Sequence, residues 1–234
     1  MNSKVFDIRD RLSYSKYEIH ETVLFGILLA LVGGFLDSYT FIARGGVFSN
    51  AQTGNIVLLG IYGAQGQWIH ALEHLPPIIA FILGVIVTEI IKGNSPKMFI
   101  QEWGKAILVL EILVLLVAGL IPKSNSDIIV NTIISFVSSL QIASFRKLGD
   151  CPYSTTMTTG NLRTACEAAY AAITKKDKKA SERAKKLFTI IICFILGAFV
   201  GAILTILFGV KAIWLAALIL CVNVALFSVK KQNI

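Results

Sequence analysis

Six long apolar runs separated by polar loops constrain this 234-residue chain more than any other feature. Several of them approach the roughly 20 residues that an α-helix needs to cross a hydrocarbon core. Because lipid offers the backbone no hydrogen-bond partners, such runs must be helical. The sequence therefore predicts an all-α polytopic membrane protein. The runs are Val23–Ala43, Ile78–Ile91, Ala106–Ile121, Ile128–Phe145, Leu187–Phe208 and Ala212–Val229.

Composition agrees with this class and argues against others. Hydrophobic residues make up 55% of the chain and charged residues 15%, whereas a soluble domain carries about a quarter charged residues. The net charge of +8 does not indicate nucleic-acid binding, because the basic residues lie between the apolar runs, where they set topology and contact anionic lipid. The mixed-charge N-terminus shows no cleavable signal pattern, so we expect the first span to direct insertion.

Few residues suggest metal or cofactor chemistry. The four cysteines show no C-x-x-C spacing, and there is no nucleotide-binding loop, so we expect no cofactor and no enzymatic activity. The stretch "HALEH", His70–His74, matches a zinc-peptidase pattern, which makes a membrane-embedded metal-dependent hydrolase a remote alternative. The other histidine, His20, is expected near the opposite membrane face, and two prolines shorten the helix. An interfacial turn with Trp68 at headgroup level is the favoured interpretation.

The two halves of the chain resemble each other at three places in the same order. The triplet Thr53–Asn55 recurs 106 residues later as Thr159–Asn161, "FILG" recurs after 113 residues, and "KAI" recurs after 106. Three ordered matches indicate a duplication within one integral membrane domain. We assign residues 1–21 to a cytoplasmic N-terminal segment, 22–121 to the first membrane repeat and 122–234 to the second.

Charge placement separates two topologies. If the Thr-Gly-Asn segments dip into the membrane and return, six helices cross it and 19 of 22 Lys and Arg residues lie inside, which leaves Arg44, Lys123 and Lys211 in the outer loops. If those segments cross fully, eight helices result and the ratio falls to roughly two to one. Because Lys and Arg of short loops prefer the cytoplasm, we predict six transmembrane helices with both termini cytoplasmic. Three crossings per repeat make the repeats inverted, a plan common among transporters.

Each Thr-Gly-Asn triplet follows a polar stretch and precedes a helix-like one, in "SNAQTGNIVLLG" and "STTMTTGNLRTA". Thr and Asn are good capping residues and Gly permits a tight turn, so the pattern predicts a re-entrant or broken helix beginning within the membrane. In an inverted pair, both helix N-termini would face a central site that favours an anion or polar solute. A packing motif is the alternative, and it remains open. The candidate residues are Asn50, Thr53, Gly54, Asn55, Thr159, Gly160 and Asn161.

Four further residues are candidates because they are polar within or beside apolar runs. Asp37 is an acid inside the first span, where a charge is costly, so it is a candidate for solute or proton handling, although it could instead reach surface water. Gln141 lies near the matching place of the second repeat, allowing a two-residue shift. Glu111 could be a second proton site or pair with a Lys or Arg. Arg163 could fix an anion or neutralise Asp37 or Glu167.

The stretch "GGFLDSYTFIARGGVFSNAQTGNIVLLG" resembles the first signature of the YoaK-like bacterial inner-membrane proteins, a six-span domain of unknown function. "QIASFRKLGDCPYSTTMTTGNL" is similar to the second signature of that family. The resemblance extends from about Thr22 to Val229. It implies that Asp37 and Gln141 take the family's acidic and glutamine positions. Ser139 and Ile142 stand where the family often has Gly and Asn.

These features predict a secondary transporter or channel for a small polar or anionic solute, with proton coupling through Asp37 as one option. A non-transporting membrane scaffold or assembly factor is the first alternative. The expected location is the bacterial cytoplasmic membrane, where the partners are lipids and an unknown small solute or ion. A homo-oligomer is compatible with the sequence.

Overall fold

The computed structural model describes residues 18–94, 103–123 and 127–230, with side chains up to 227. Most of the predicted N-terminal segment, 1–21, and the last four residues lie outside this described part. Within it there are nine α-helices and one short hairpin. They are α1 (Val23–Ala43), α2 (Gln52–Ala64), α3 (Trp68–Glu73), α4 (Leu75–Asn94), α5 (Gly104–Ala118), α6 (Asp127–Ser144), β1 (Lys147–Leu148), β2 (Cys151–Pro152), α7 (Thr158–Thr174), α8 (Lys178–Phe208) and α9 (Ile213–Lys230).

Several helices are long and apolar enough to cross a membrane. Four such segments occur in the described residues, Val23–Ala43, Trp68–Asn94, Asp127–Ser144 and Lys178–Phe227. The last contains α8 and most of α9, which are joined by a short 3-10 turn at Gly209–Ala212. Helix α5 has 15 residues, about 22 Å at 1.5 Å per residue, and is shorter than these. The chain is a polytopic helical membrane protein, as its apolar runs predict.

Helices α1 and α6 form the inside of the bundle. Two thirds of each apolar segment, 67%, is buried by other helices, compared with 28% for Trp68–Asn94. The large side chains of Phe25, Leu29 and Phe35 on α1 are almost completely buried. In a bilayer, the apolar faces that α4, α8 and α9 leave exposed are the faces that contact lipid.

Helices α1 and α8 pack closely against each other at glycine residues. A Cβ added to Gly197 of α8 would overlap the backbone of Leu31, so only glycine allows this approach. A Cβ added to Gly26 near the start of α1 would contact Ile190, and one added to Gly201 further along α8 would contact Phe35. Positions therefore advance together along both helices, and α1 and α8 run parallel.

The pair α4–α6 repeats this arrangement with the other half of the chain. Gly84, the glycine of the first "FILG", packs against Phe136 and Ser139 of α6, as Gly197 of the second "FILG" packs against α1. Lys92, further along α4, donates to the Ala143 carbonyl further along α6. If α1 is matched with α6, α4 with α8 and α5 with α9, each major contact has a counterpart: α1–α8 matches α6–α4, and α1–α9 matches α6–α5.

Two other helix pairs are antiparallel. Trp214, at the start of α9, donates its indole N–H to the Leu116 carbonyl near the end of α5. At the other end, the Phe227 ring would lie 3.4 Å from a Cβ at Gly104. Helices α1 and α6 are antiparallel as well. The ring of Phe25 at the start of α1 lies 5.2 Å from that of Phe145, which directly follows α6.

Arg44, directly after α1, joins the two halves. Its guanidinium is completely buried and pairs with the Asp127 carboxylate at 2.8 Å. It also donates to the carbonyls of Ala118 (2.7 Å) and Ile121 (2.8 Å) at the end of α5. A cation at a helix C-terminus satisfies carbonyls that lack an intrahelical partner. The charge count places Arg44 in an outer loop, whereas in the structure it is a buried internal connection.

Candidate functional site

Asp37 lies inside the bundle and holds the start of α2. Its side chain is 5% exposed, and Oδ1 accepts hydrogen bonds from the backbone N–H groups of Asn50 (2.8 Å) and Ala51 (3.2 Å). The Ser49 hydroxyl donates to the same oxygen at 3.5 Å. A carboxylate here complements the unpaired N–H groups and the positive dipole end of the helix. The anion expected at the first helix start is thus supplied by the chain itself.

The stretch before α2 runs back along α1 from its C-terminal end. Arg44 follows the end of α1, yet the side-chain amide of Asn50 donates to the Gly33 carbonyl at 3.2 Å. On the way, the backbone N–H of Ser49 donates to the Thr40 hydroxyl at 3.1 Å. Gly33 lies about 16 Å of helix before Arg44 at 1.5 Å per residue. Six extended residues span about 20 Å, enough for this return.

The stretch before α7 reaches Gly33 from the other end of α1. Gly149, between β1 and β2, donates its N–H to the backbone just before α1 begins. A Cβ at Gly26 would lie 3.2 Å from the Tyr153 hydroxyl, and a Cβ at Gly33 would lie 2.6 Å from Thr156 Cγ2. Gly33 is the middle residue of the 21-residue helix α1. The two polar stretches therefore meet halfway along α1, having come from opposite ends.

Four buried oxygen atoms near this meeting point have no hydrogen-bond partner in the described structure: Asp37 Oδ2, Asn50 Oδ1, Thr155 Oγ1 and Thr156 Oγ1. Their side chains are at most 6% exposed. Buried polar atoms normally have partners, so a group of four without one makes this region the candidate site. We call Gly33, Asp37, Asn50, Thr155 and Thr156 the central cluster.

Sequence reasoning missed Thr155, Thr156 and Gly33. A signal was present for the threonines, because Asn50 and Thr156 each lie five residues before the Asn of their triplet. No sequence signal identified Gly33, because its role depends on contacts with both stretches.

Both triplets have the same register within their helices. Helix α2 begins at Gln52 and α7 at Thr158, so Thr, Gly and Asn are the second, third and fourth helical residues in each case. The N-cap residues are Ala51 and Met157, and neither side chain makes a capping bond. The prediction that Thr or Asn caps these helices is therefore wrong. Both triplet glycines are helical and do not form a turn.

The triplet asparagines instead clamp the chain seven residues upstream. The Asn55 side chain accepts from the backbone N–H of Phe48 at 3.0 Å and donates to its carbonyl at 2.8 Å. Asn161 accepts from the N–H of Ser154 at 3.1 Å and donates to its carbonyl at 2.6 Å. Each amide thus pairs with both backbone groups of one residue, as a neighbouring strand would. The clamp fixes the bend between each polar stretch and its helix.

Most of the remaining triplet residues face outward. Thr53, Thr159 and Gly160 are exposed. A Cβ at Gly54 would lie 2.7 Å from the Phe48 ring, so packing accounts for this glycine. No atom lies within 4 Å of a Cβ built at Gly160, and nothing in the structure requires glycine there.

Glu111 and Gln141 form a separate buried pair. The Gln141 amide donates to Glu111 Oε2 at 2.9 Å, and the Ser138 hydroxyl donates to Oε1 at 3.4 Å. The Lys or Arg partner considered for Glu111 is thus replaced by neutral donors. The glycine of the second "FILG" packs on Leu31 of α1, and the glycine of the first packs on Phe136 of α6, so Leu31 and Phe136 are equivalent positions. With the same spacing, the residue of α6 that is equivalent to Asp37 is Ile142. Gln141 is one residue from that position, within the allowed two-residue shift, but its amide bonds Glu111 and it is not a member of the central cluster.

Arg163 lies on the outer face of α7 and pairs with Glu167. The two groups are 3.6 Å apart, and their side chains are 78% and 66% exposed. Among the partners proposed for Arg163, which were an anion, Asp37 and Glu167, the structure pairs it with Glu167. Thr159 and Cys166 are exposed on the same side. Apolar side chains such as Leu162 and Ile173 are exposed on α7 too, so its surface is mixed, whereas the exposed residues that follow the triplet in α2 include Ile56, Val57 and Ile61.

The two histidines of "HALEH" point to different surroundings. Helix α3 ends at Glu73 and α4 begins at Leu75, so they do not share one continuous helix face. His70 is exposed and lies 3.3 Å from Glu73, whereas His74 is buried and lies 3.3 Å from Asn55 Oδ1. No group of three or more His, Cys, Asp or Glu side chains able to hold a metal occurs in the part of the chain that the structure describes.

Comparison with known proteins identifies one family. Residues 25–226 match the family described as "Protein of unknown function (DUF1275)". The chain is 30% identical over 184 residues to the UPF0700 transmembrane protein YoaK of Bacillus subtilis (strain 168), a match that covers 75% of this chain and 80% of that protein. No solved structure matches.

Proposed function

The chain belongs to the DUF1275 family of membrane proteins, and we propose that it is a secondary transporter or channel whose small substrate passes the central cluster. The observation that carries the proposal is the meeting of two polar stretches at Gly33, where Asp37, Asn50, Thr155 and Thr156 each leave an oxygen unpartnered. Binding sites of transporters commonly lie at the membrane midplane between broken helices.

The contacts between the two halves of the chain support inverted repeats, because each half packs one of its helices against a helix of the other half in the same way. The second long helix of each half packs in parallel on the first helix of the other half, through the glycine of its own "FILG". Helices α1 and α6, the equivalent first helices, are antiparallel. Two equivalent units of opposite direction are what an inverted duplication produces.

Six crossings are supported by the same helix directions. Helices α5 and α9 are antiparallel, which requires an even number of crossings between them; α6 and α8 supply two. A further crossing by α7 would make α5 and α9 parallel. Likewise, a crossing by α2 would make α1 and α6 parallel, whereas they are antiparallel. In this proposal α2 and α7 are therefore re-entrant.

Water access is supported by the outer face of α7. Gly33 is the middle residue of α1 and is taken to lie at the membrane midplane. If α7 begins at this depth, Arg163 lies about 8 Å from the midplane, measured along the helix, and therefore well inside a hydrocarbon core of about 30 Å. An exposed Arg–Glu pair at that depth is costly in lipid and normally faces a water-filled cavity. We infer a hydrated passage along α7 that leads toward Thr155 and Thr156.

The substrate class is set by the space and by the groups available. The central cluster is nearly closed to solvent, and Asp37 already occupies the N-terminus of α2, so a large anion does not fit the first half. A small polar solute or an ion is the class that these contacts favour.

Uptake into proteoliposomes tests this function. Wild-type protein is screened with a panel of small polar solutes and ions, and Asp37→Asn is compared with Glu89→Gln. Glu89 is an exposed acid that bonds Lys92 and does not touch the central cluster, so its variant is the matched control. We expect the flux through Asp37→Asn to be at least tenfold lower than the flux through the control. Normal flux by folded Asp37→Asn would exclude a pathway through this residue.

A scaffold or assembly role is the second candidate, and one observation favours it. Both triplet asparagines are used in backbone clamps, which is a structural task. A scaffold predicts that triplet variants lose stability or partner binding and that no solute in the panel is transported. For this reason a loss of flux in Asn161→Ala alone does not discriminate between the two functions.

A further inference from the structure

We propose that the central cluster binds one dehydrated monovalent cation, with Na⁺ as the fitting ion. The inference deepens the proposed function, because such an ion would be the coupling ion of the transporter. It rests on the four unpartnered oxygens of Asp37, Asn50, Thr155 and Thr156, all in side chains at least nine-tenths buried.

The donor set is that of a hard cation. It offers one carboxylate oxygen, one amide oxygen and two hydroxyl oxygens, and such ligands suit alkali and alkaline-earth ions. The orientation of the Asn50 amide follows from its partner, because the Gly33 carbonyl can only accept and therefore faces the NH₂ group. Asn50 Oδ1 is consequently the free atom. The Thr155 carbonyl lies nearby, 3.6 Å from a Cβ built at Gly33.

Charge balance selects a monovalent ion. Asp37 is the one charged side chain of the central cluster, and its Oδ1 is held by neutral donors. A single positive charge neutralises it, whereas a divalent ion would leave a net positive charge buried in the membrane, which is strongly unfavourable. The N–H groups at the start of α2 stabilise this carboxylate in part, and a cation at Oδ2 would complete the charge balance.

The local packing favours an ion over a larger solute. The Thr156 methyl group would lie 2.6 Å from a Cβ at Gly33, so the space opposite α1 is already filled by the chain. An ion that sheds its water can be held by side chains that move by a fraction of an ångström. Asp37 lies on α1 and Asn50 lies in the stretch before α2, so two ligands belong to the first half of the chain. The other two ligands lie in the stretch before α7, in the second half, so the ion would hold the two halves together.

Ion-dependent thermal stability tests the site without any transport assay. Purified protein in detergent is melted at fixed pH and ionic strength while NaCl replaces choline chloride. We expect a saturable rise of the melting temperature, by about 5–10 °C at a hundredfold excess over Kd. KCl should act more weakly, and CaCl₂ should not stabilise the protein more than NaCl does.

Three variants locate the effect. Asp37→Asn keeps the oxygen that accepts from the Asn50 and Ala51 N–H groups, but it replaces the ligand oxygen Oδ2 with an NH₂ group and removes the charge, so we expect loss of the Na⁺ shift. Thr156→Val removes one hydroxyl without changing shape, and we expect at least a tenfold weaker Kd. Thr88→Val is the matched control, because Thr88 is equally buried but bonds its own helix at Gly84. It should retain the full shift. If Asp37→Asn does not fold, Thr155→Val replaces it.

The outcomes separate this inference from the proposed function. The cation site is overturned if wild type shows no Na⁺ dependence, if acid alone stabilises it, if Ca²⁺ exceeds Na⁺, or if the Thr156 variant keeps the full shift. A Na⁺ shift that depends on the central cluster, combined with no flux of any solute, leaves the site intact and overturns the transporter.

Discussion

The triplet asparagine of the second repeat provides the sharpest test of how these segments are built. Asn161→Ala removes an acceptor 3.1 Å from the Ser154 N–H and a donor 2.6 Å from the Ser154 carbonyl. The amide is 4% exposed, so no water replaces it directly. Each buried backbone group left without a partner costs about 1–3 kcal/mol. Because Ser154 is half-buried, we expect a total loss of about 2–4 kcal/mol.

Two further substitutions calibrate this value. Asn161→Asp keeps the acceptor but turns the donor into an oxygen that faces the Ser154 carbonyl, so we expect it to be at least as destabilising as alanine. Thr159→Ala alters an exposed residue of the same triplet and should stay within about 0.5 kcal/mol of wild type. Asn55→Ala should cost more than Asn161→Ala, because Asn55 also contacts Gln52 and His74.

Thermal unfolding in detergent and SDS titration in mixed micelles measure these changes. A loss of about 2–4 kcal/mol corresponds to a drop of roughly 5–15 °C in the melting temperature for a chain of this size. The reasoning fails if Asn161→Ala melts within 2 °C of wild type, since the clamp would then be energetically unimportant. A stable Asn161→Ala protein that has lost flux would instead assign the amide to the substrate.

Three other predictions follow from separate parts of the fold. Arg44→Met should lose about 3–5 kcal/mol, because it leaves Asp127 and the α5 carbonyls unpaired, and Asp127→Asn in a double-mutant cycle should show strong coupling to it. Gly197→Ala should lower the melting temperature through overlap with the α1 backbone, whereas Gly45→Ala, outside any contact, should cost only its backbone strain. In single-cysteine variants, a water-soluble maleimide should label Cys166 on α7 but not Cys221, which is also exposed but lies on apolar α9.

The class and the long helices could be predicted from the sequence because they depend on local hydropathy. The run Val23–Ala43 coincides with α1, and the Thr-Gly-Asn repeat marks two short helices that begin in the same register. Lipid forces any apolar run to be helical, so these predictions require no knowledge of tertiary contacts.

The roles of single polar residues could not be predicted in the same way. Arg44 is defined by carbonyls at the end of α5, more than seventy residues away, and a charge count places it in a loop. Asn161 is defined by a residue seven positions upstream, a spacing that matches neither helix nor strand periodicity. Glu111 depends on which face of α6 carries Gln141. Such contacts arise only after the helices have packed.

The difference between the two halves is as informative as their likeness. Asp37 binds the N–H groups before α2, but the position that the glycine contacts align with it in α6 is Ile142, and no carboxylate is seen to accept from the N-terminus of α7 among the described residues. One negative charge therefore serves the meeting point of two helix N-termini. A second carboxylate would repel the first and require two cations or protons in a small closed space. A single carboxylate leaves Asp37 Oδ2 without a partner in the described structure, and this is the atom that the proposed cation would use.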